Sequence, residues 1–281
     1  MLIALLACTA TPAEPAHYDA PPIAWQTLLP GLELADVPMP VRSHAGDSIA
    51  HIVRVTPGAW TVALRSAATN GGNPRPVDQW FDTGAVAAIN PGMFGSDWLT
   101  STGHMVSDGV VTNAAWTTDN SVIAASGDRF HIFNLECEGR PDDTLWPNMI
   151  QSIRMMDCAG NNVWADQPKE WSASVVGDDH KGRLLLIHVR SPYRMHALVD
   201  QLKAMPLGLR ALHYGDGGPP SFLSVRTPSV HADWVGSWET GAFEDDGNAS
   251  AGNIPNVLVV VPASVLAPEV GPLSVEIDVS G

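Results

Sequence analysis

Between Gly215 and Pro220 the chain places three glycines and two prolines within six residues, Gly215-Asp216-Gly217-Gly218-Pro219-Pro220. Such a run removes side-chain packing and backbone donors together, so neither a helix nor a central strand is expected to run through it. Just upstream, Leu209, Ala211, Leu212 and Tyr214 follow Gly208, a helix-stop glycine, and suit a buried strand. The expected arrangement is a strand that gives way to a sharp turn, with backbone amides uncovered and Asp216 at the bend. A lone acid at the end of a buried strand, beside glycines that admit a ligand to the backbone, is a common setting for binding and catalysis. The same carboxylate would equally serve to cap the amides of its own turn.

The rest of the chain reads as many strands and few helices. Ile49 to Thr56 and Trp60 to Ser66 form a hairpin about Pro57-Gly58, and Pro76 to Asp82 a short helix that ends at Gly84. Ala85 to Ile89 is a small apolar strand ending in Asn90-Pro91-Gly92, the second junction with a polar residue at its lip. Met105 to Val111 is broken at Ser107-Asp108-Gly109, and Ser121 to Ala125, Arg129 to Phe133 and Met149 to Met156 are further strands. Trp171 to Val176 and Arg183 to Arg190 make a hairpin, after which Ser191-Pro192 reads as an N-cap and first helical turn. Trp25 to Pro40 is expected to be irregular with a turn at Pro30-Gly31, Arg226 to Pro255 loop-rich, and Asn256 to Val261 a final buried strand. The fold class expected is α+β: a mixed, strand-rich single domain over residues 25–262 with a few short helices, followed by a tail over 263–281.

Charge narrows the partners. A formal net charge of -15, from 30 acidic and 15 basic side chains, leaves no basic face for a nucleic acid, so none is expected as a partner. Residues 1–8 are almost wholly apolar and end in Leu5-Leu6-Ala7-Cys8, a pattern similar to a lipoprotein signal with Cys8 as the lipidated residue, although it lacks a basic n-region and its apolar run is short. Residues 9–24, rich in proline and alanine without periodicity, suit a tether from a membrane anchor to the folded body. The expected location is then the cell envelope of a bacterium, lipid-anchored or periplasmic. In an exported chain Cys137 and Cys158 would pair, whereas in a reducing compartment they would remain thiols. The histidines show no metal-ligand spacing, and no nucleotide-binding loop or nucleophile elbow is present, so neither metal nor cofactor is expected. The oligomeric state is open.

Ala88-Ile89-Asn90-Pro91-Gly92-Met93-Phe94, the Ser107-Asp108-Gly109 turn, the Trp171 to Arg190 hairpin, Arg190-Ser-Pro-Tyr193, Asp216-Gly217-Gly218 and the late Gly236 to Gly241 run occur in one order. That order resembles the phosphodiester glycosidase family, which includes the lysosomal uncovering enzyme, and in particular an uncharacterised bacterial branch. The resemblance spans roughly Ile49 to Pro262 and implies hydrolysis of a sugar-1-phosphodiester or related glycosidic bond. It departs at two places: Trp171 stands where the family's enzymes carry an arginine, and Pro219-Pro220 follow the two glycines.

Glycosyl hydrolysis needs a proton donor and a base or nucleophile, and a phosphodiester needs positive charge. Asp216 is the first candidate, with Glu239 and Asp108 as the other carboxylates inside resembling motifs. Asn90, Gly92, Gly109, Gly217, Gly218 and Ser221 are expected to shape the substrate pocket. Arg190 is expected to take the phosphate in place of the missing arginine, with His188 on the same strand face. The other reading is a non-catalytic envelope lipoprotein that keeps the fold and binds glycans or surface polymers.

Overall fold

The computed structural model describes residues 21–81 and 84–263. Segment 1–8 with Cys8, residues 9–20 of the tether, Asp82 and the tail beyond 263 lie outside the described residues. The middle layer is a six-stranded antiparallel sheet in the order Gln26–Leu29, Leu32–Pro38, Ile49–Val55, Leu184–Tyr193, Trp171–Asp179, Leu209–Gly217. Its strands are apolar on both faces, and the period of two sends alternate side chains to different cores. Leu184 and Leu186 join the cluster shared by all the large sheets, while Leu185, Ile187 and Val189 meet the helix Met195–Ala204 through Met195, Leu198, Val199 and Leu202.

Two five-stranded sheets cover the other face. One runs Arg129–Asn134, Asn120–Ser126, Asn148–Ile153, Met105–Ser107, Val110–Asn113. The other runs His231–Val235, Phe222–Arg226, Ala87–Ile89, Asn256–Pro262, Trp60–Ser66. In Asn256–Pro262 the alternation again feeds two cores: Leu258 and Val260 face the shared cluster, and Val257, Val259 and Val261 pack with Trp80 and Phe222.

The molecule is therefore mostly β, with one α-helix among the described residues, rather than a balanced α+β fold. Ser191 does not cap a helix. Its hydroxyl accepts the Ser48 N–H at 2.6 Å, and Ser191-Pro192 remain in the strand, in a bulge opposite Ser172. The helix starts instead at Met195 with Arg194 as an N-cap that makes no side-chain capping bond. The segment expected as a short helix is a 3-10 turn, Val77–Phe81. Pro30-Gly31 turns a hairpin whose first strand is bulged, and the segment expected to be loop-rich holds the strand His231–Val235, which pairs with Phe222–Arg226.

Cys137 and Cys158 form a disulfide across a sequence separation of 21. Closing a loop of that size restricts the unfolded chain, so replacing both cysteines by serine is expected to cost about 3 kcal/mol. Denaturant titration of the double variant checks this. Among the described residues no helix is long and apolar enough to cross a membrane.

Candidate active site

The strand that begins at Leu209 does not stop at Tyr214; it continues through Gly217 because Gly215 is accommodated as a bulge. Ser174 pairs with Asp216 and its neighbour Val175 pairs with Tyr214, which leaves Gly215 as the extra residue. Simple alternation would place Asp216 with Leu212 and Tyr214 on the helix side. The bulge returns it to the face of His213 and Ser174. Only glycine fits there, since a Cβ on Gly215 would stand 2.3 Å from the Asn90 carbonyl oxygen and 2.9 Å from that of Ser174.

That close approach joins the two junctions singled out in the sequence. Asn90 donates through Nδ2 to Asp216 Oδ2 at 2.9 Å and to the Pro220 carbonyl at 3.1 Å. The Gly217 N–H donates to Asp216 Oδ1 at 2.8 Å. Ser174 Oγ donates to the Asn90 carbonyl at 3.0 Å and accepts the Asp216 N–H at 3.0 Å. Behind them His213 bridges Ser121 Oγ at 2.9 Å and the Pro91 carbonyl at 3.0 Å. A carbonyl can only accept, so the proton sits on Nε2 and Nδ1 takes the serine hydroxyl. Burial drives the His213 pKa down to about 4, so the ring is a neutral strut at working pH.

Asp216 is 9% exposed, and burial pushes its carboxyl up to about 7 against the opposing pull of the Gly217 N–H and Asn90; the charge of Glu239 adds to the rise. It opens onto a cavity of about 330 Å³ whose wall includes Glu239, Lys169, Trp171, Tyr214 and Gly217. Glycines form the floor. A Cβ on Gly217 would lie 2.4 Å from both the Trp171 ring and the Tyr214 oxygen, and one on Gly218, whose φ is +66°, would lie 2.7 Å from Glu239 Oε2. The two glycines thus let an indole, a phenol and a second carboxylate settle beside Asp216. Ser221 belongs to the support, fully buried with its hydroxyl donating to the Gly218 carbonyl at 2.8 Å.

Glu239 comes from a loop held at several points. Ser172 Oγ accepts the Ser237 and Trp238 N–H groups at 2.9 and 3.1 Å, and Thr240 donates its N–H to the Glu170 carbonyl at 3.0 Å. Arg190 clamps the same loop: it bonds the Val235 carbonyl at 2.7 Å, Asp246 Oδ1 at 2.7 Å and the Asp246 carbonyl at 2.6 Å. Its guanidinium is consumed in this way, so the structure does not make Arg190 the phosphate group of the cavity.

Four other candidates do not line the cavity. Asp108 is in an exposed turn, where both its oxygens take Arg65 NH1 at 2.9 and 2.8 Å, and its neighbour Gly109 supplies only the turn's φ of +78°. His188 is fully buried between the sheets, opposite His51 and Ser174, and burial lowers its pKa to about 3. Gly92 supports the site from behind: its N–H donates to Asn90 Oδ1 at 3.3 Å, and a Cβ would strike Ile150.

Lys169, Trp171 and Tyr214 are the lining residues that sequence reasoning missed. Tyr214 stood two residues before Asp216, and Trp171 had been noted only as a departure. Among the described residues, one carboxylate and imidazole group, Asp78, His231 and Asp233, has the spacing for a metal, and Arg226 already bridges its two carboxylates. The acidic turn near Asp245 is also spent, on the Gly247 N–H and on Arg190.

A family model described as phosphodiester glycosidase matches residues 83–261. No curated protein matches the chain in sequence. Among solved structures, the fold is similar to the zebrafish N-acetylglucosamine-1-phosphodiester alpha-N-acetylglucosaminidase catalytic domain auto-inhibited by its pro-peptide, at 15% identity and a TM-score of 0.54, over 87% of this chain and 85% of that one. It is also similar to a hypothetical protein from Synechocystis, at 13% identity and a TM-score of 0.57, over 86% of this chain and 64% of that one.

Proposed function

Because the chain belongs to the phosphodiester glycosidase family, we propose that it hydrolyses the bond between the anomeric carbon of a sugar and a phosphodiester oxygen. One observation carries the reading: a buried carboxyl raised to about 7 shares a cavity with a second carboxylate, Glu239. A raised acid keeps its proton near neutrality and can deliver it to the departing oxygen. As the carbon–oxygen bond breaks, Asp216 supplies the proton, the phosphate leaves, and water replaces it at the sugar. Glu239 completes the carboxylate pair on which such hydrolysis depends.

Positive charge for the phosphate comes from Lys169, on the exposed rim of the cavity. Replacing Lys169 by alanine is expected to raise KM for a sugar-1-phosphodiester about 10-fold and to leave a neutral aryl glycoside unaffected, because an exposed charge contributes mainly to anion capture. A panel of chromogenic glycosides and sugar-1-phosphodiesters tests the reading as a whole. Turnover of a phosphodiester supports it, and silence across the panel from a folded protein would leave the glycan-binding role. Export to an oxidising compartment is part of the same proposal, supported by the Cys137–Cys158 disulfide.

A further inference from the structure

Tyr214 takes no part in the chemistry above, yet its hydroxyl lies in the same cavity. The residue is 4% exposed and lines the wall beside Asp216 and Glu239. Burial, then the charge of Asp216, holds its phenol well above the ordinary range, so the oxygen keeps its proton at working pH. The Trp171 Nε1 lies beside the same glycine, Gly217, as this oxygen, and it is buried with no hydrogen-bond partner among the described residues. An indole N–H only donates, so Trp171 cannot accept the phenol's proton. No described group of the protein accepts that proton either.

Core packing explains the ring and not the hydroxyl. The ring sits 5.0 Å from Trp164 in the cluster beneath the helix, where phenylalanine would serve as well. The hydroxyl faces the cavity, so its proton is left to water or to an acceptor on a ligand bound there.

We propose that the Tyr214 hydroxyl is a specificity-determining donor to one hydroxyl oxygen of the bound sugar. The ligand class rests on the glycosidase reading. A sugar hydroxyl is favoured over a phosphate oxygen because the donor stands beside the Glu239 carboxylate, whose field opposes an anion, while Lys169 offers the phosphate a place at the rim. A site built to bond a hydroxyl discriminates strongly against the analogue that lacks it.

The test is calorimetric titration of the full chain and of Tyr214→Phe with glucose, N-acetylglucosamine and the monodeoxyglucoses. The wild type is expected to bind one deoxy sugar at least ~10-fold more weakly than its parent. Tyr214→Phe should bind the parent about 10-fold more weakly than the wild type does and lose that discrimination. Its melting temperature should hold or rise, because the hydroxyl has no protein acceptor to lose.

Unchanged affinity and discrimination in Tyr214→Phe overturns the proposal, as does a wild type that binds none of these sugars, or a variant that loses stability along with binding. The two readings fail separately. Sugar binding that depends on Tyr214 without phosphodiester turnover would remove the hydrolase and keep this donor; turnover indifferent to Tyr214 would do the reverse.

Discussion

Asp216→Asn is expected to lower phosphodiester turnover by about 10²–10⁴-fold, the usual worth of a positioned proton donor, and to stabilise the protein above pH 7. The two effects share one cause. The folded-state pKa of about 7 lies above the ordinary 3.8, so the folded chain holds this proton more tightly than the unfolded chain does. Stability from this group is therefore full below pH 4, is lost as pH rises towards 7, and is flat beyond. A shift of that size corresponds to about 4 kcal/mol as an upper bound. Asparagine carries no charge to desolvate, but its amide cannot accept both bonds now supplied by Asn90 and Gly217, a loss of roughly 1 kcal/mol. The variant should be more stable than the wild type at pH 8, by about 2 kcal/mol, and slightly less stable at pH 4. Urea titrations at the two pH values read the crossing, and the wild-type rate should decline as pH passes about 7. Equal stability differences at both pH values would mean that the carboxyl is not held protonated, and the proton-donor role would fall with it.

Gly215→Ala is expected to cost about 3 kcal/mol or more, well beyond the usual effect of adding one methyl group. Two of the three atoms nearest the new Cβ, the Asn90 and Ser174 carbonyl oxygens, belong to backbones of different sheets, so neither can swing aside as a side chain could. Relief requires the sheets to part at the point where Asn90 reaches Asp216, so activity should fall along with the unfolding midpoint. Gly182→Ala is a suitable control: its φ of +73° also disfavours alanine, but a Cβ there meets nothing within 4 Å. A Gly215→Ala protein that melts like the control would show that the bulge is not held by this contact.

Residue patterns revealed Trp60–Ser66 by its two-residue period and Asn256–Pro262 by its all-apolar run. They hid short strands that lie beside turns. Gln26–Leu29 and Phe222–Arg226 are short and adjoin proline and glycine turns that read as loop. That Asn90 and Asp216 belong to one site was expected only through a resemblance, because a sequence separation of 126 gives no local signal of contact. Arg190 misled for a physical reason: a sequence displays a cation and its strand but not the loop that returns to occupy it. Tyr214 and Trp171 were passed over because aromatic residues near a strand end are ordinarily core, and both indeed contribute to that core. What distinguishes them is one glycine, Gly217, against both the Trp171 ring and the Tyr214 oxygen, a relation that becomes visible only when the strands are laid side by side.

The placement of Asn256–Pro262 between Ala87–Ile89 and Trp60–Ser66 has a kinetic consequence. Until that late strand is made, its two neighbours face each other across an empty lane, each with a row of unpaired backbone groups. The lane cannot be filled by anything synthesised earlier, so the sheet that carries Asn90 closes last. Loop closure over so long a separation is slow. A nascent chain of this sequence would therefore stay open until nearly all of it is available, a state suited to threading through a pore and prone to edge pairing with its own copies.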